Sequence, residues 1–372
     1  MLFFDYIKLQ VAIWWKFNPC ELQRRNMVRK GLSAFLALLV ASISLSGCIG
    51  QFGGDSDSND SKDGDSSSEL EYTEDGIFTC IEHGNLTRCW QTHVPEYIDE
   101  SSPVPLVVDM HGYSSHSTEQ RQMSSFETLA NQEDFIVVYP DGDGEVDMLT
   151  GETNQAWNAG WCCSHSVNEE IDDVGFIEKM IQIVIQKYNI DTNRIYASGW
   201  SNGCAMSQRL AMESSDIFAA VGCMSMYLLT EHTDNYSPIP IMEVHGFLDQ
   251  VVLYESTALS VPWNGNMWTN PEAYETGAIE NIFEWSELNN CTGGIETFDT
   301  NPLYTIQGFS NCQNDAQIRL MTIYAAQHNP YANNPIQDDL IVFQGTQGLV
   351  QSSELVWEFI SQFSKENIES SD

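Results

Sequence analysis

The stretch Arg194-Ile195-Tyr196-Ala197-Ser198-Gly199-Trp200-Ser201-Asn202-Gly203-Cys204-Ala205-Met206 decides the fold. Its first part is a short β-branched and aromatic run that reads as a strand, and Met206 and Leu210 open an amphipathic helix. Between them lies the chain's G-x-S-x-G pentad, Gly199 to Gly203. A strand, a sharp turn on a serine and a helix form the setting of a nucleophile elbow. Glycines at both ends let the backbone turn without Cβ clashes, and the helix N-terminus favours negative charge developing beside it.

Around the elbow, strand-like and helix-like segments alternate. Apolar runs at 105–110, 135–139, 194–198, 219–223, 239–244 and 318–324 read as strands. Ile177, Met180, Ile181, Val184, Ile185 and Tyr188 repeat with helical spacing behind Asp172 and Asp173, which suit an N-cap and first turn. Further helices are expected over 201–213 and 354–363. Such alternation predicts an α/β fold with a mostly parallel central sheet covered by helices on both faces. Chemistry in such a sheet gathers at the carboxyl ends of its strands.

A serine nucleophile needs a histidine base and an acid to orient it, in the chain order serine, acid, histidine for this architecture. Of the eight histidines, His328 alone lies beyond the last two strands, in the loop where a base belongs. Asp249, 48 residues after Ser201, closes the strand-and-turn segment His245-Gly246-Phe247-Leu248-Asp249 and is the expected acid. His245, which precedes the acid, reads as a structural residue. His111-Gly112-Tyr113 follows the first strong strand, so the Tyr113 amide joins that of Asn202 as an expected oxyanion donor. Trp157 and Trp200 are expected at the substrate pocket, with Trp161, Trp263 and Trp268 as further aromatic candidates.

The chain carries 53 acidic against 15 basic residues over 372 positions, a net charge of −38. So acidic a surface repels nucleic acid and anionic lipid headgroups. No Gly-rich phosphate loop or paired metal-ligand spacing occurs, so no cofactor and no metal are expected. The partner is a substrate molecule; oligomeric state is not readable.

The first 48 residues read as an address. A basic cluster, Arg24, Arg25, Arg29 and Lys30, precedes an apolar run from 32 to 45, too short to span a bilayer comfortably. It ends in Leu45-Ser46-Gly47-Cys48, which resembles the lipobox of prokaryotic lipoproteins, with Cys48 as the lipidated residue. Residues 49–70, rich in Ser, Asp and Gly, read as a disordered linker, and 71–372 as the catalytic domain. The expected location is extracytoplasmic, at the cell surface through a lipid anchor or secreted, with membrane contact through that anchor alone.

Setting aside Cys20 and Cys48 leaves eight cysteines, an even number in an exported chain, and disulfides are expected. Locality pairs Cys80 with Cys89 across a hairpin at His83-Gly84-Asn85, and Cys291 with Cys312. Adjacent Cys162 and Cys163 are poorly placed to bond each other, so they are expected to reach Cys204 and Cys223.

Several motifs stand in one order: Val107-Val108-Asp109-Met110-His111-Gly112, Tyr139-Pro140-Asp141-Gly142, Trp157-Asn158-Ala159-Gly160-Trp161-Cys162-Cys163, Asp172-Asp173-Val174-Gly175-Phe176, the pentad, and His245 to Asp249. Through them, residues 77 to 363 resemble the polyhydroxybutyrate depolymerase and feruloyl esterase-like family of secreted α/β-hydrolases. The resemblance implies the α/β-hydrolase fold, with Ser201 as nucleophile, Asp249 as acid and His328 as base. It implies hydrolysis of polymer-linked or phenolic acyl esters, acetyl xylan included, through an acyl-enzyme. Two departures touch the pocket. Family members often carry the base in a Gly-Gly-His-x-Trp-Pro run, where this chain reads Ala325-Ala326-Gln327-His328-Asn329-Pro330, and Cys204 replaces a small residue. The alternatives are a serine peptidase of the same fold and a catalytically inactive surface binding lipoprotein.

Overall fold

All seven residues of Val104–Met110 are buried, as a central parallel strand covered on both faces requires. The structure is a computed structural model that describes residues 70–99, 101–146, 148, 151, 153–255, 276–332 and 349–365. The expected signal region with Cys48, nearly all of the expected linker, and Trp263 and Trp268 lie outside them. In chain order the strands are β1 (Thr73–Asp75), β2 (Phe78–His83), β3 (Leu86–His93), β4 (Val104–Met110), β5 (Ile136–Pro140), β6 (Asp143–Val146), β7 (Thr153–Ala156), β8 (Ile190–Gly199), β9 (Ala220–Met224), β10 (Ile241–Gly246), β11 (Glu296–Thr300), β12 (Tyr304–Phe309) and β13 (Ile318–Ile323). The helices are α1 (Ser117–Met123), α2 (Phe126–Glu133), α3 (Ser164–Asn168), α4 (Asp173–Lys187), α5 (Asn202–Glu213), α6 (Ala278–Leu288) and α7 (Ser352–Ile360).

Eleven strands form one sheet in the order β1-β2-β3-β5-β4-β8-β9-β10-β13-β12-β11. The six from β5 to β13 run parallel, and antiparallel strands extend both edges. On one face Ile177 and Met180 of α4, Leu210 of α5 and Ile282 and Trp285 of α6 pack together. On the other, Met123 of α1, Phe126 and Leu129 of α2, and Val356, Trp357 and Ile360 of α7 do so. Full burial of each such side chain contributes roughly 1.5–3 kcal/mol. This is the α/β-hydrolase arrangement read from the sequence. The α4 N-terminus is capped as its two aspartates suggest, the Asp172 carboxylate accepting the Gly175 amide at 3.0 Å.

Two disulfides pair as locality suggests, Cys80 with Cys89 across the β2–β3 hairpin and Cys291 with Cys312. The other two correct the expectation. Packing of α5 on β9 brings Cys204 and Cys223 to a Cα separation of 4.9 Å, and they bond each other. Cys162 and Cys163 are bonded to one another. With Cys204 and Cys223 taken by each other, the adjacent pair is left to itself.

Candidate active site

The elbow follows from close packing. Ser201 joins β8 to α5 with φ 54° and ψ −120°, a conformation that costs a non-glycine residue on the order of 1–3 kcal/mol. Backbone bonds hold it there: the Trp200 amide donates to the Met110 carbonyl at 3.1 Å and the Ser201 amide to that of Met224 at 2.8 Å. A Cβ on Gly203 would lie 2.2 Å from the Met110 oxygen, and one on Gly199 2.6 Å from the Gly203 oxygen. The two glycines thus let the start of α5 press against the end of β4.

The structure brings Ser201, His328 and Asp249 together. His328 Nε2 lies 3.0 Å from Ser201 Oγ, and Nδ1 lies 2.8 Å from Asp249 Oδ2. With the proton on Nδ1, the ring donates to the carboxylate and can accept from the hydroxyl. Asp249 Oδ1 accepts the amides of Val251 and Val252 at 2.8 and 2.9 Å. Burial alone would raise this carboxyl; the charges and hydrogen bonds of His328 and His245 outweigh burial and hold it well below the usual range. The loops bearing Asp249 and His328 are laced together, Leu248 donating to the Ala326 carbonyl at 3.0 Å and Phe247 to that of Ile323 at 3.0 Å.

The amides of Tyr113 and Asn202 have no hydrogen-bond partner among the described residues. The segment bearing Tyr113 is pinned by His111, whose Nδ1 donates to the Gly112 carbonyl at 2.7 Å and whose Nε2 accepts the Gly142 amide at 2.9 Å. Burial pushes that imidazole down to about 3, which keeps it neutral and able to do both.

Trp157 requires a correction: its side chain has no exposed surface and so offers none to a ligand. Its indole N–H donates to the His111 carbonyl at 2.9 Å, and its backbone exchanges two hydrogen bonds with the Asn202 side chain, at 2.7 and 3.1 Å. It ties the two amide-bearing segments together instead of lining a pocket. Trp200, also buried, donates its indole N–H to the His328 carbonyl at 2.7 Å.

The sequence reading missed what stands behind Asp249. Glu243 and His245 are two residues apart on β10, hence on one face, and both are completely buried. His245 Nδ1 lies 2.6 Å from Glu243 Oε1, while Nε2 meets the Val252 carbonyl at 2.9 Å and Asp249 Oδ2 at 3.4 Å. Asn281 of α6 donates to Glu243 Oε2 at 2.6 Å. The available signal was a glutamate and a histidine in register inside the otherwise apolar run Ile241-Met242-Glu243-Val244-His245.

A hydroxyl against an imidazole, a carboxylate behind it and two free amides nearby suit acyl transfer. A family model described as Esterase PHB depolymerase matches residues 97–267. Feruloyl esterase B of Piromyces equi is 30% identical over 229 residues, covering 60% of this chain and 39% of that protein. A bifunctional acetylxylan esterase/xylanase of Neocallimastix patriciarum is 23% identical over 264 residues, covering 70% and 31%. The chain therefore spans well under half the length of these two relatives. A solved acetyl xylan esterase from Aspergillus awamori aligns with a TM-score of 0.46 at 16% identity, over 69% of this chain and 93% of that one.

Proposed function

We propose that this chain, polyhydroxybutyrate depolymerase- and feruloyl esterase-like in sequence, is a serine carboxylic ester hydrolase that acts on polymer-linked or phenolic acyl esters. The observation that carries this reading is the chain of contacts from Ser201 Oγ through His328 to Asp249, at 3.0 and 2.8 Å. The names of the relatives, feruloyl and acetylxylan esterases, support the substrate class.

In the proposed reaction His328 Nε2 takes the Ser201 proton as Oγ bonds to the ester carbonyl carbon. The carbonyl oxygen becomes an oxyanion held by the Tyr113 and Asn202 amides, each such donor contributing about 3 kcal/mol. Collapse breaks the carbon–alkoxy bond, and the leaving alcohol takes the proton from His328. Water then attacks the acyl-enzyme, gives its proton to His328 and restores Ser201 as the acid departs. Asp249 keeps the base in its Nδ1–H tautomer and stabilises the imidazolium.

We place the enzyme outside the cytoplasm, anchored through Cys48. Four disulfides support an oxidising compartment, and mass spectrometry of the mature N-terminal peptide should find Cys48 lipidated.

The test is hydrolysis of a nitrophenyl acyl series and methyl ferulate by the oxidised full chain. Ser201→Ala should lower kcat by about 10⁵–10⁶. Full turnover in that variant would overturn the reading, and turnover of peptides in place of esters would move it to a peptidase.

A further inference from the structure

We propose that His245 is a positioning residue: a buried cationic bridge between Glu243 and Asp249 that fixes the carboxylate against His328. The proposal deepens the reaction just described and rests on it for the roles of Ser201, His328 and Asp249.

The geometry assigns the ring its protons. Nε2 faces two acceptors, the Val252 carbonyl at 2.9 Å and Asp249 Oδ2 at 3.4 Å, so it carries a hydrogen. Nδ1 meets the Glu243 carboxylate at 2.6 Å, where a second proton is held. The other oxygen of Glu243 is fixed by Asn281, whose own Oδ1 accepts the Leu228 amide at 3.0 Å. Tyr227 stacks on one side of the imidazole at 5.7 Å and Tyr254 meets it edge-on at 5.9 Å. Glu243 and Asp249 are the charged groups facing the ring, Tyr227 and Tyr254 the titratable ones packed on it, and His328 lies beyond Asp249. Burial opposes the charge on His245, yet the two carboxylates push it up to about 10.

Two consequences follow. Asp249 Oδ2 is shared by two histidines while its Oδ1 is held by two amides, so the carboxylate has no freedom to swing from His328. The positive charge of His245 also helps hold Asp249 ionised against its burial. Glu243 balances the buried charge at the ring's other nitrogen.

Two variants of the full chain separate the effects. In Glu243→Gln the glutamine amide can donate to Nδ1, so the ring stays in place but becomes neutral. His245→Gln removes the ring. In Glu243→Gln the titration of His245, followed on ¹⁵N-histidine-labelled protein by NMR, should fall by about two pH units. His245→Gln should lower kcat about tenfold with KM unchanged.

A purely structural histidine would lower the melting temperature in His245→Gln and leave kcat and KM of the folded variant unchanged. An unchanged His245 titration in folded Glu243→Gln, or a wild-type His245 that is neutral at pH 8, overturns the proposal. Since the NMR readout needs no turnover, a chain that hydrolyses no ester would count against the proposed reaction and leave the bridge separately decided.

Discussion

Asp249 and Asp109 are both fully buried near the carboxyl ends of central strands, yet their surroundings drive them in opposite directions. Asp249 faces His328 and His245 and accepts two backbone amides, and it is held ionised. Asp109, next to the His111 segment on β4, has only neutral neighbours: Gln120, which donates to its Oδ1 at 2.9 Å, and the hydroxyls of Ser124 and Ser198. Burial, only partly offset by these, pushes its carboxyl up to about 7. Its Oδ2 and the Oε1 of Gln120 are both buried without a hydrogen-bond partner among the described residues. Burial alone therefore does not decide whether a carboxyl is charged; cations and amides arranged around it keep it so.

The largest expected difference is in turnover. Asp249→Asn should lower kcat about 10⁴-fold, because an amide no longer holds the Nδ1–H tautomer of the base. Asp109→Asn, at equal burial, should leave kcat within a few-fold. Parallel kinetics on one nitrophenyl ester check both, and equal losses would dissolve the contrast between the two acids.

The second difference is in stability against pH. The folded value of Asp109 lies above its ordinary 3.8, so the folded chain keeps a proton that the unfolded chain releases. Its contribution is fully present below about pH 4 and is lost as pH rises toward 7, by on the order of 4 kcal/mol. Asp249 has the opposite sign, since its folded value is depressed. Its contribution is present above about pH 4 and is lost as pH falls through the folded value. Asp109→Asn should thus flatten the decline between pH 4 and 7 and gain stability relative to wild type at pH 8. Denaturant unfolding at several pH values reads this directly, and an unaltered slope in the variant would mean that Asp109 is ionised.

How much of this was legible depends on where each residue's partners lie in the chain. The elbow was readable because Gly199, Ser201 and Gly203 fall in five consecutive residues between a strand and a helix, and the packing that demands those glycines is local. Chain order and strand ends singled out Asp249 and His328, which the fold brings to Ser201 across 48 and 127 residues. Trp157 looked like pocket lining because a tryptophan in a loop motif does not show that its indole is spent on the His111 carbonyl. The pairing of Cys162 with Cys163 stayed hidden because packing of α5 on β9 commits Cys204 to Cys223, 19 residues away. The edge strand β11, exposed along its whole length, has no apolar alternation to mark it. Glu243 finds Asn281 38 residues away, and only the packing of α6 on the sheet reveals that contact.

The smallest expected effect concerns hydroxyls beside the two acids. The Tyr139 hydroxyl, near Asp109, is buried without a hydrogen-bond partner among the described residues, whereas that of half-buried Tyr254, near His245, lies 2.6 Å from Thr322 Oγ1. Deleting a satisfied buried hydroxyl costs about 1 kcal/mol and leaves its partner wanting, while deleting an unsatisfied one removes a desolvation penalty. Tyr254→Phe should therefore destabilise by about 1 kcal/mol and Tyr139→Phe should be neutral or stabilising by a similar amount. Midpoints of urea unfolding at pH 6 check the pair. Destabilisation by Tyr139→Phe would show that its hydroxyl does serve the Asp109 cluster, and the neutral acid would then be better supported than the static geometry implies. The sign of that one small change thus measures how complete the network around the uncharged carboxyl is.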